Sequence, residues 1–110
     1  MTAALPDLIA VLPTAWIENF IAAFEAGRVQ KHPQAKFVNG RGECCIVGGL
    51  AGARDVAGFA ASAQVADFLG TPLEALSRAF EAGRLTGQQF YEEALLALTA
   101  RREAEAIVAV

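Results

Sequence analysis

Two adjacent cysteines, Cys44 and Cys45, and one histidine, His32, are the residues of this chain best suited to chemistry. A thiolate is a nucleophile and a metal ligand, and it forms most readily where the N–H groups of a helix start lower the thiol pKa. The pair lies where such a start is expected, in Gly42-Glu43-Cys44-Cys45-Ile46-Val47-Gly48-Gly49-Leu50-Ala51-Gly52-Ala53. His32 would serve as the base if the intervening loop folds back. No third group that would orient the imidazole is evident. Cysteine is also among the most buried residue types. The residues therefore favour interior packing for Cys44 and Cys45, with a thiol-dependent enzyme or redox sensor as the alternative.

Metal and phosphate chemistry fare worse. Structural zinc sites usually separate their cysteines by roughly two to four residues, so Cys44, Cys45, His32 and Glu43 make a poor set. Neighbouring Cβ vectors diverge, which disfavours a Cys44–Cys45 disulfide and fits a reducing compartment. The glycines lack the lysine and the preceding strand of a phosphate loop. Gly48 and Gly52 are four apart, as are Gly49 and Ala53, which gives a smooth helix face. A second helix could lie close against it. No cofactor and no metal site is assigned.

These residues need helices to position them. An N-terminal helix is predicted over residues 6 to 12, with Pro6 in its first turn. Thr14 reads as the N-cap of a second helix that runs to Ala26. Its apolar stripe is Trp16, Ile17, Phe20, Ile21 and Phe24, the natural partner of the glycine face. Gly27 ends it as a left-handed residue, and Arg28 follows as a cation on the helix dipole. Asn39-Gly40 is a hairpin signal, so residues 36 to 38 are expected to pair with 42 to 45. A third helix runs from near Cys45 to about Ala53, and residues 55 to 61 read as either helix or loop.

Ser62 reads as the cap of a short helix that ends at Leu69 and Gly70. Thr71, Pro72 and Glu74 form a capping box for the next helix, which stops at Gly83. Thr86 and Gln89 repeat the box for the last helix, which turns Phe90, Ala94, Leu95 and Leu98 inward and ends near Glu105. Arg101 and Arg102 have the spacing to pair with Glu105. Ile107, Val108 and Val110 form an apolar tail. The predicted core is Trp16, Phe20, Phe24, Cys45, Leu50, Phe68, Leu76, Phe80, Phe90 and Leu98.

Residues 62 to 82 have the rhythm of a helix-turn-helix. The second helix would offer Pro72, Leu73, Glu74 and Ala75 to a groove, with no cation among them. Phe24-Glu25-Ala26-Gly27-Arg28-Val29 is echoed by Phe80-Glu81-Ala82-Gly83-Arg84-Leu85, a shared way of ending a helix rather than a repeat array.

Composition bounds the rest. At 110 residues, 55% hydrophobic and rich in alanine, the chain reads as one mainly helical domain spanning 1–110. Its net charge of −3 and scattered cations make nucleic acid an unfavoured partner. Residues 44 to 66 are nearly all apolar, but Arg54 and Asp55 at their centre argue against a membrane span. Pro6, Asp7 and Pro13 break the first apolar run, so no secretory leader is expected and the cytoplasm is.

Cys45-Ile46-Val47-Gly48-Gly49-Leu50, after a loop ending in Gly42-Glu43-Cys44, resembles a family of small uncharacterised bacterial and phage-associated helical proteins. Their mark is Cys-x-x-Gly-Ala-Leu, with a helix before it and a Leu-Gly helix pair after it. Leu69-Gly70 occupies the latter place, and Gly49 stands for the usual alanine. The resemblance spans about residues 17 to 98. It implies a compact α fold with a small hairpin before the Cys-Gly helix, and no catalytic residue.

The expected architecture is a compact bundle of five or six short helices with a minor β-hairpin near residues 36 to 45. The expected function is a non-catalytic interaction module whose partner is an unknown protein or a second copy, a homodimer. The alternatives are the thiol enzyme or sensor at Cys44/Cys45 and a DNA-binding helix pair at 62 to 82.

Overall fold

Alanine, leucine and phenylalanine at helical spacing leave little for strands to use, and the chain is mainly helical. The structure is a computed structural model, and it describes residues 4–30, 37–70, 80 and 85–109. Among them run α1 (Ala4–Ala10), α2 (Thr14–Glu25), α3 (Ile46–Ala51), α4 (Phe59–Leu69) and α5 (Gly87–Ala109). A short 3₁₀ turn, Val56–Gly58, leads into α4, and Phe80 is helical as well. The predicted helix after Thr71 otherwise lies outside the described residues, as do Leu76 and the second copy of the helix-ending echo.

α2 is the central rod. It packs on α3 along one side and on α5 along another, while α1 lies on α5 and α4 on α3. Phe20 is the pivot. Fully buried, it stacks edge-on against Phe90 of α5 at 4.7 Å and leaves room for α3 only because Gly49 has no side chain. Burying a ring of this size stabilises by about 2–3 kcal/mol. Phe24 stacks on Tyr91 at 4.5 Å, and the Tyr91 hydroxyl donates to Glu25 Oε2 at 2.6 Å. The core also holds Ile9, Leu12, Ile17, Leu50, Val65, Phe80 and Leu98.

Several ends form as the sequence predicts. Gly27 (φ +75°) closes α2 with the N–H of Gly27 bonded to Phe24 O and that of Arg28 to Ala23 O, both at 2.9 Å. At the start of α5 the box is reciprocal: Gln89 N–H donates to Thr86 Oγ1 at 3.0 Å, and Thr86 N–H donates to Gln89 Oε1 at 2.8 Å.

Other readings are corrected. α1 begins two residues before Pro6 and ends at Ala10. Pro13, not Thr14, precedes the first turn of α2, and the Thr14 hydroxyl accepts from Arg101 instead. Ser62 is buried within α4, where its hydroxyl donates to Gly58 O at 3.0 Å. α4 starts earlier because Asp55 turns the chain, its Oδ1 accepting from Ala57 N–H at 2.9 Å. Cys45 is only half-buried, and the cysteine in the core is Cys44. Trp16 and Phe24 are half-buried against the core. Phe68 is 54% exposed and Leu95 36%, so neither belongs to the core.

The last helix runs past Glu105 and takes in Ile107 and Val108, while Val110 lies outside the described residues. Arg101 turns to α1 rather than Glu105, and Arg102 approaches Glu18 at 3.6 Å across an exposed surface. No helix among the described residues is long and apolar enough to cross a membrane.

Candidate functional site

Among the described residues, the expected hairpin consists of two single bridges that meet on Cys44. Val38 pairs with it antiparallel, and Val29 pairs with it parallel from the other side. Cys44 N–H donates to Arg28 O and Gln30 N–H donates to Cys44 O, each at 2.8 Å. Both backbone groups of the residue are thereby used, and its side chain is 0% exposed among Ala23, Val38 and Ala53. Lys36 and His32 lie outside the described residues.

The turn between Val38 and Cys44 is not the two-residue Asn-Gly turn. The left-handed residue is Gly42 (φ +82°), and Gly42 N–H donates to Asn39 O at 3.1 Å. Buried Asn39 organises the loop. Its Oδ1 accepts from the N–H groups of Arg41 (2.9 Å) and Glu43 (3.1 Å), and its Nδ2 donates to Glu43 Oε1 at 2.7 Å. A short amide that bonds its own backbone this way offers an alternative to a strand ladder.

Arg28 locks the centre. Its Nη1 donates to Gly42 O at 3.2 Å and to Ala53 O at 2.9 Å. The guanidinium thus serves the far end of α3 rather than its own helix. Phe37 holds a left-handed backbone (φ +72°) while its carbonyl accepts from Cys45 N–H at 3.0 Å. The helix that starts there can approach because it carries glycine. A Cβ on Gly48 would collide with the Phe37 carbonyl, and one on Gly49 would lie 3.0 Å from the Phe20 ring. The glycine at 52 (φ +71°) faces Asn19, whose Nδ2 donates to Leu50 O at 3.1 Å. Gly49 faces α2 as expected, but the Gly48/Gly52 pair does not form one face: Gly48 meets the Phe37 loop, while Gly52, the left-handed cap after the helix, meets Asn19.

The electrostatics oppose a reactive Cys44. Burial pushes its thiol up to about 11, the Arg28 guanidinium pulls partly back, and the neighbouring Cys45 pushes up again. A thiol in that state carries almost no thiolate near neutral pH, and nucleophilic attack needs the thiolate. Cys45 caps a helix of only six residues. Among the described residues no three metal-ligating side chains gather.

Sequence reasoning missed Arg28, Asn39 and Phe37 as the frame of this centre. Asn39 was visible as a turn signal but not as a buried one. Nothing local marks Phe37 for a left-handed backbone. Compared with known protein families, curated proteins and solved structures, the chain matches none.

Proposed function

We propose that the chain is a non-catalytic interaction module of the cytoplasm that pairs with a second copy of itself. The observation that carries this reading is the outward face of α4. Ala60, Ala61, Ala63, Gln64, Asp67 and Phe68 are all exposed there, and Asp67 is the single charge among them. Solvated helix faces are ordinarily studded with charge. Ala60, Gln64 and Phe68 lie at i, i+4 and i+8 on one stripe. About a two-fold axis at Gln64, an antiparallel copy sets its Phe68 over the first copy's Ala60, ring into gap, and the two amides meet on the axis. The Trp16 ring, 5.1 Å from Phe68 and edge-on to it, extends the aromatic surface. Aromatic anchors dominate the buried centres of interfaces.

The thiol reading draws less support at Cys44, which is fully buried and held protonated by that burial, and it then rests on half-buried Cys45 alone. For the DNA-binding reading, residues 71–79 and 81–84 lie outside the described residues, and α4 offers an acidic side chain where a phosphate backbone needs cations.

Sedimentation equilibrium from micromolar to near-millimolar concentration tests the proposal. A dimer that Phe68→Ser converts to a folded monomer is the expected result. A strict monomer throughout, or a dimer indifferent to Phe68→Ser, overturns it.

A further inference from the structure

One guanidinium at the other end of the molecule binds three groups at once. Arg101 Nη1 donates to Thr14 Oγ1 at 2.9 Å, and its Nη2 donates to Ile9 O at 3.2 Å and Ala10 O at 3.1 Å. The two carbonyls belong to the last turn of α1, where helix geometry leaves acceptors short of donors; Ile9 O also accepts from Leu12 N–H at 3.1 Å. Thr14 is the first residue of α2. Arg101 therefore bridges α5 to both sides of the turn at residues 11–13.

A seven-residue helix has little stability of its own. α3 is as short, yet it is gripped by α2, by the Phe37 carbonyl and by α4. Among the described residues, the principal neighbour of α1 is α5. We propose that α1 is a hinged arm and Arg101 its latch: the arm swings from α5 as a unit about residues 11–13 and exposes the buried Ile9 side chain. Segments of this kind open well below the free energy of global unfolding.

Hydrogen exchange read by mass spectrometry on the full chain tests this. In the wild type, amides of α1 exchange faster than those of α2 and α3. Arg101→Met speeds the α1 amides at least about tenfold and leaves those of α3 unchanged, since the bonds lost are charge-assisted. Thr14→Val, a milder change that keeps the bonds to both carbonyls, speeds α1 by a few-fold only. Equal acceleration of α1, α2 and α3 in either variant, or wild-type α1 amides as slow as those of α2, overturns the latch.

Discussion

α3 and α4 present faces of similar smoothness, and among the described residues only that of α3 is covered. On α3, Gly48 and Gly49 are buried, one under the Phe37 carbonyl and the other under the Phe20 ring. On α4, Ala60, Ala61 and Ala63 look outward with Phe68 beside them. Small residues at helical spacing thus mark a close approach without saying whether the approaching surface is in the same chain. What separates the two faces is the rest of the neighbourhood. The α3 face meets a ring from α2 and a loop whose polar groups are tied by Asn39 and Arg28, whereas the α4 face is exposed among the described residues and carries Asp67 as its single charge.

The sharpest way to break the covered face is Gly48→Ala. Its Cβ would meet a backbone carbonyl that cannot swing aside and the Cys44 Cβ at 3.0 Å. Overpacking against backbone costs about 3 kcal/mol, read as a lower urea midpoint with unchanged slope. Arg28→Met comes next. It strips Gly42 O and Ala53 O of a charged donor and costs about 2 kcal/mol by the same measurement.

A smaller effect follows from the thiol. The unfolded chain releases the Cys44 proton near the ordinary value of 9.0, while the folded chain keeps it to about 11. Its contribution is present in full below pH 9 and is lost as pH rises towards 11. Tyr91 titrates above its ordinary value too, its proton held by Glu25. The difference between wild type and Cys44→Ala isolates the cysteine, and wild type should lose more stability than the variant over that window. On the open face the expected change is least: Phe68→Ser shifts stability by about 1 kcal/mol, since the residue is 54% exposed and gives up its edge contact with Trp16, while it removes the dimer.

The contrast between the two faces was only half legible beforehand. Gly27 and the Thr86–Gln89 box were readable because each is decided within a few residues. The approach of α2 to Gly49 was readable because apolar stripe and small-residue stripe must meet. Which cysteine is buried was not. Cys44 lies in an extended residue just before the helix, so pairing with Val29 and Val38 decides its direction, and helical periodicity does not apply. Ser62 read as a cap because hydroxyls favour helix starts, yet Asp55 and the 3₁₀ turn begin that helix sooner. Arg101 was hidden because its partners at Ile9 and Ala10 are about ninety residues away along the chain.

The claim on which the rest depends is that Cys44 belongs to the interior frame and takes no part in chemistry. Alkylation of the native protein at pH 8, resolved residue by residue by mass spectrometry, addresses it directly. The account predicts that Cys44 is modified no faster than the protein unfolds and becomes fully reactive in denaturant. Modification of Cys44 in native buffer at the rate of a solvent-exposed thiol would contradict it.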